Sequence, residues 1–303
     1  MVAFLLTAIL AGNNLPASAG TLIAGKMLSK SQGVGLVIIG YVAGFLVQGG
    51  LLSTGYGAIL PFPNPVFVLA AMIPALIVFV IADLIRVPLS FSIVFTMALI
   101  GIDLAAHEPF NVTYITFVIG YWIVAMLISA VLVLVSLRFS QRSVRGVRIW
   151  PMVRLIKLMI LVASFLTAFT IGANTMGFLF AAIDSAVAIP GLYLTAFMII
   201  AIAVGSITLS RGVLSRISND IMPIRYLNSA AMQSVAILMV ELGTLASIPI
   251  STTQTFTAGI YGASFSYKTR VLLLKPLAYI LGTWVAAAII SLVLGFVLTS
   301  LLV

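Results

Sequence analysis

Apolar residues run along this chain in long continuous stretches rather than in alternation. Segments 33–52, 65–82, 113–137, 194–213, 226–243 and 274–298 each approach the ~20 apolar residues that a membrane-spanning helix requires. Two more stretches, 88–105 and 249–266, begin at a proline and could either span or re-enter. The segments around Asn13 and Asn174 are apolar but interrupted by polar and small residues. Only helices and closed barrels pair every backbone group within hydrocarbon, and continuous apolar runs select helices. The expected fold is an all-α polytopic membrane protein.

The interruptions recur at one spacing. Asn13 and Asn174 lie 161 positions apart, and so do Pro88 and Pro249, Phe95 and Phe256, Thr96 and Thr257, Gly101 and Gly262. The same shift carries 33–52 onto 194–213, 65–82 onto 226–243, and 113–137 onto 274–298. Chance likeness between two apolar helices does not reproduce polar and proline positions at a common offset. The expected organisation is a first membrane repeat over 1–142, a basic cytoplasmic linker over 143–161, and a second membrane repeat over 162–303. Five hydrophobic pieces per half is an odd number of crossings. The second half should then enter the membrane inverted relative to the first, a design of many secondary transporters.

Composition agrees: 63% of residues are hydrophobic and 7% charged, against about 25% charged in a soluble domain. The net charge of +9 does not signal nucleic acid, because the basic residues sit in short loops where the positive-inside bias accounts for them. With Lys26 and Lys30 cytoplasmic, alternation also puts Arg86, the Arg138–Lys157 stretch, Arg211, Arg216, Arg225, Lys268, Arg270 and Lys275 inside. Asp103, His107, Glu108 and Asp184 then fall outside, as do both termini. The chain has no cysteine, which excludes disulfides and thiolate ligands. Ala17-Ser18-Ala19-Gly20 resembles a signal-peptidase site, but no Lys or Arg precedes Lys26 and the segment has an internal counterpart, so it reads as mature structure.

The candidate chemistry sits at the interruptions. Gly12, Asn13, Asn14 and Pro16 should break the first segment, and Gly172, Asn174, Thr175 and Gly177 the sixth. Irregular backbone at membrane depth is tolerated where it is buried in protein or lines a wet cavity. Pro88-Leu89-Ser90-Phe91-Ser92 and Pro249-Ile250-Ser251-Thr252-Thr253 describe helix amino termini, each with proline at the first helical position followed by hydroxyl residues. Free N–H groups and the positive end of the helix dipole bind anions there without a basic side chain. Gly40-x-x-x-Gly44 could support close helix packing. Glu241, deep in an apolar segment, is the candidate ion-coupling residue, since intramembrane carboxyls are costly and functional.

Asn13-Asn14-Leu15-Pro16-Ala17-Ser18-Ala19-Gly20, Asn174-Thr175 and Pro249-Ile250-Ser251-Thr252-Thr253-Gln254 resemble the paired signatures of the PiT inorganic phosphate transporters, Ala-Asn-Asp-x-Ala-Asn-Ala-x-Gly and Pro-Val-Ser-Thr-Thr-His. The resemblance implies a phosphate site at the membrane midplane with cation coupling. It places Asn13, Asn14, Asn174, Thr175, Ser90, Ser92, Ser251, Thr252 and Thr253 around that site. The chain departs from the pattern in several places. The family's Asp positions hold Asn14 and Thr175, its second Asn positions Ala17 and Phe178, its first-half Ser-Thr-Thr reads Ser90-Phe91-Ser92, and its His is Gln254. Loss of both carboxylates removes hard ligands that sodium favours, which leaves a proton as the expected coupling cation and sodium as the alternative. No cofactor or metal is expected.

The leading expectation is a phosphate symporter working by alternating access in the plasma membrane, with the bilayer and an oxyanion as partners and a homodimer as an open possibility. The alternatives are a sulfate or other oxyanion permease of the same family, or an anion channel. No His cluster, Ser/Lys pair or Asp/Asp pair has a spacing suited to an intramembrane enzyme.

Overall fold

The computed structural model describes residues 1–85, 87, 89–143, 149–209, 226–266 and 274–302. Arg86, Pro88, Arg211, Arg216, Arg225, Lys268 and Arg270 lie outside the described residues, so their topological assignments do too. Twelve α-helices are described: α1 (Val2–Ala24), α2 (Lys30–Gln48), α3 (Leu52–Ile59), α4 (Pro65–Ile85), α5 (Phe91–Ala106), α6 (Val112–Ser143), α7 (Ile149–Ile171), α8 (Gly177–Ala186), α9 (Gly191–Thr208), α10 (Tyr226–Leu245), α11 (Thr252–Ser264) and α12 (Leu274–Leu302). A short 3₁₀ turn joins α2 to α3, and a π-helical segment, Gly172–Met176, joins α7 to α8. Seven of the described helical stretches are long and apolar enough to cross a membrane. The α10 helix has the length but is less apolar, because it carries Asn228, Ser229, Gln233 and Glu241.

The 161-residue offset reappears in the element starts: Lys30 and Gly191 open α2 and α9, Pro65 and Tyr226 open α4 and α10, Phe91 and Thr252 open α5 and α11. Packing recurs as well, and it is reciprocal. The α1 helix packs on α9 while α2 packs on α7 and the π segment; α5 packs on α12 while α11 packs on α6. Glycines make these approaches. A Cβ on Gly44 would meet the Phe169 carbonyl, and one on Gly205, its counterpart, would meet the Ala8 carbonyl. Gly101 and Gly262 stand likewise against the backbones of Leu292 and Ala130. Gly40, one turn before Gly44, fits against Ala168, so the Gly40-x-x-x-Gly44 stripe is a packing face.

Two expectations are corrected. The first segment is not broken: α1 is continuous through Gly12, Asn13, Asn14 and Pro16. Gly12 serves close packing, since a Cβ there would meet Leu209 and the Gly205 carbonyl, and a single proline removes only one backbone bond. The sixth segment is interrupted as expected, by π-helix over Gly172–Met176, a form that often marks functional sites. Pro249 does not open its helix. It follows Ser247, whose left-handed φ of 59° ends α10, and Ser251 is the N-cap of α11. Proline soon after a helix end blocks continuation, while a serine side chain caps the next helix better than proline can. The α7 helix starts at Ile149, inside the stretch 143–161.

Of the segments left open between spanning and re-entry, α5 has 16 residues and α11 has 13. At 1.5 Å per residue these are about 24 and 20 Å long, short of the ~30 Å hydrocarbon thickness.

Candidate functional site

The starts of α5 and α11 meet. Ser90 caps α5, its Oγ accepting from the Ile93 N–H at 3.3 Å, and Ser251 caps α11, its Oγ accepting from the Thr253 N–H at 3.2 Å. Ser90 Oγ donates to Gln254 Oε1 at 3.3 Å, so a residue of the first turn of α11 touches the cap of α5. Each terminus contributes N–H groups without an intrahelical partner and the positive end of a helix dipole. Ser92 and Thr252, in the two first turns, are 1% and 2% exposed, and neither hydroxyl has a hydrogen-bond partner among the described residues. A buried hydroxyl without a partner costs free energy that a bound acceptor recovers.

Asn174 approaches from the π segment. Its Nδ2 donates to Thr244 Oγ1 and to the Ile248 carbonyl, both at 2.9 Å, and its Oδ1 accepts from the Ile250 N–H at 2.9 Å. It therefore holds the corner from which α11 starts. Thr175, beside it, is buried. On α1 the arrangement differs. Asn14 Nδ2 donates to the Leu10 carbonyl of its own helix at 2.9 Å, and Asn13 is half-buried with no side-chain hydrogen bond among the described residues. Thr253 is half-buried at the head of α11. Thus Ser90, Ser92, Ser251, Thr252 and Thr253 cluster at the paired termini, Asn174 braces one of them, and among the described residues the α1 asparagines make no side-chain bond to either. Glu241 is apart from the caps: its Oε1 accepts from Gln48 Nε2 at 2.6 Å, joining α10 to α2.

Sequence reasoning missed several contributors. Gln254 closes the quoted motif and could have been placed at the site from its position in the first helical turn. Phe91 and Phe178 hold positions where the resembled motifs carry polar residues, and the two rings meet at 6.4 Å, edge to face. Phe95 stacks on Phe91 at 5.0 Å and meets Phe178 at 5.5 Å, while Tyr56 meets Phe178 at 6.2 Å. The residues 161 positions from Phe91 and Phe178 are Thr252 and Ala17. One flank of the paired termini is therefore a wall of aromatic rings, and the counterparts of Phe91 and Phe178 are the smaller Thr252 and Ala17. Beyond Tyr56, between α3 and α8, lies a cavity of about 310 Å³ lined by Gly49, Ser53, Tyr56, Asp184 and Ser185.

No group of three or more His, Cys, Asp or Glu that could hold a metal occurs among the described residues. The chemistry on offer at the termini is hydroxyl and backbone N–H donation with dipole support, which suits an oxyanion.

Comparison with known proteins agrees with this chemistry. The chain is 24% identical over 308 residues, 100% of its own length and 96% of the other's, to a protein of Methanocaldococcus jannaschii provisionally named a phosphate permease. Its fold superposes with a TM-score of 0.82 on the solved structure of a protein described as the sodium-dependent phosphate transporter, covering 99% of this chain and 97% of that one at 14% identity. The model of the phosphate transporter family matches residues 10–295, and the chain belongs to that family.

Proposed function

We propose that this protein carries inorganic phosphate across a membrane by binding it between the amino termini of α5 and α11. The observation that carries this reading is the Ser90–Gln254 contact joining the two termini, with the buried Ser92 and Thr252 hydroxyls beside it lacking partners. Ser251, Thr253 and Thr175 complete the donor set, and Asn174 of the π segment with Asn13 and Asn14 of the continuous α1 forms the frame. Two opposed termini supply donors to a tetrahedral oxyanion from two directions without a basic residue.

The mechanism proposed is symport by alternating access between an inverted pair of repeats, 1–142 and 162–303, joined by 143–161. Reciprocal packing of matching elements supports that organisation. The proposed coupling cation is a proton taken up by Glu241, whose partner Gln48 comes from the other repeat. The proposed setting is the plasma membrane with both termini outside.

Uptake of labelled phosphate and sulfate into proteoliposomes, with proton and sodium gradients imposed separately, tests this reading. Phosphate accumulation under a proton gradient is expected, and Ser251→Ala or Thr252→Ala should cut it without loss of protein from the membrane. Unchanged uptake in both variants rejects the site. Accumulation of sulfate alone reassigns the substrate, and leakage without uphill accumulation makes the protein a channel.

A further inference from the structure

Asp103 has no role in the site described above, yet it is 1% exposed and neither carboxyl oxygen has a hydrogen-bond partner among the described residues. It stands in the last turn of α5, which ends at the left-handed His107, and its backbone carbonyl accepts from the Glu108 N–H at 3.0 Å. A carboxylate sealed from water with no donor or counter-charge is strongly disfavoured, whereas a neutral carboxylic acid tolerates the same surroundings.

The groups that could act on it are few. The helices packed against α5 are α12, α4 and α3, and α8, which carries Asp184 of the cavity lining, meets it through Phe178. On α4 the charged residue is Asp83, but Phe79 lies beside Phe91 at the start of α5, so Asp83 sits near that start. Asp103 is about 18 Å further along α5. On α12 the titratable residue with a described side chain is Tyr279, far along the helix from Leu292, the level at which α12 meets Gly101. On α3 it is Tyr56, which is 2% exposed and lies within electrostatic range of Asp103. Glu108, on the loop after α5, adds negative charge nearby. Two buried polar groups therefore lie within electrostatic range of each other, and Tyr56 also lines the cavity between α3 and α8.

We propose that Asp103 is a second proton-binding site of the transport cycle, protonated in this conformation and exchanging its proton with the cavity that Tyr56 borders. On release, the carboxyl O–H passes its proton to water in that cavity, and the Tyr56 hydroxyl turns to donate a hydrogen bond to the carboxylate left behind. This rests on the proton-coupled reading above and goes beyond it, because Glu241 is held by an amide donor and Asp103 by nothing.

The test uses the full-length protein in proteoliposomes. Asp103→Asn should keep phosphate exchange between equal pools within about twofold, yet lose at least about tenfold of proton-driven accumulation, with a flattened pH profile. Asp103→Glu should restore part of the drive, and Tyr56→Phe should shift the pH profile while leaving exchange intact. Infrared difference spectra between about pH 5 and 8 should show a protonated-carboxyl band that Asp103→Asn removes. That readout needs no substrate, so it decides the Asp103 assignment even if the wild type moves no phosphate and the functional reading fails. Proton-driven accumulation and pH profile unchanged in Asp103→Asn would overturn the proposal. So would loss of drive in Glu241→Gln alone, absence of the band, or a wild type driven by sodium alone whose drive Asp103→Asn abolishes.

Discussion

The corner between α4 and α5 and the corner between α10 and α11 begin and end alike, and the side chains set around them differ. Both incoming helices end with the same turn, the Val87 N–H reaching the Ala82 carbonyl at 3.0 Å and the Ile248 N–H reaching the Gly243 carbonyl at 2.7 Å. Both outgoing helices are capped by serine. Around the second corner side chains pin the backbone. Asn174 makes three bonds there. From α6, Tyr114, Tyr121 and Trp122 donate to the carbonyls of Ser247, Met239 and Pro249 at 2.5, 2.6 and 2.7 Å. The residues 161 positions from Tyr121 and Trp122 are Gly282 and Thr283. Gly282 has no side chain to donate, and Thr283 spends its hydroxyl on carbonyls of its own helix. A repeated backbone can thus define a two-sided site while the two halves set different side chains around it.

The largest effect is expected at Asn174. Asn174→Ala strands the Ile250 N–H and the Ile248 carbonyl, and should cost about 3–5 kcal/mol. It should appear as a marked fall in melting temperature in detergent with near-complete loss of uptake. Asn13→Ala, its counterpart, should cost under about 1 kcal/mol, and equal losses in the two variants would break the comparison. Next come Gly44→Ala and Gly205→Ala, where a methyl meets backbone in both halves. Each should destabilise by about 1–3 kcal/mol and to a similar degree, because packing is symmetric where restraint is not. Thr252→Val removes a hydroxyl that has no protein partner. Thermal stability should hold while phosphate KM rises about tenfold, which separates a ligand-binding role from a bracing one. The smallest change is Trp122→Phe, expected to cost about 1 kcal/mol of stability through one lost bond. A thermal shift no larger than that of Thr283→Val would show that the pin to Pro249 carries nothing.

Much of the fold was legible because it rests on length, apolarity and an offset, all linear properties of the chain. The capped starts of α5 and α11 were legible within a residue or two for the same reason: serine at an N-cap is a local signal. The continuity of α1 was not. Gly12 looks the same in a sequence whether it unwinds a helix or admits Leu209 against it, and only the tertiary contact distinguishes the two. Tyr114, Tyr121 and Trp122 read as ordinary members of an apolar helix, because the carbonyls they reach lie more than a hundred residues away. Phe91 and Phe178 look like two separate departures from a motif until their rings are seen to touch.

The crossed packing has a consequence for how the chain is made. The α5 helix, too short to span alone, lays its Gly101 face against α12. Roughly 190 residues separate these partners, so at ~5–20 residues per second α5 waits on the order of 10–40 s for its neighbour to leave the ribosome. During that interval a half-length helix with a polar start sits in lipid or against the translocation machinery without its cover. Biogenesis of this protein is therefore a problem of holding the first half open until the last helix arrives, and a chain ended after α6 has no complete molecule to become.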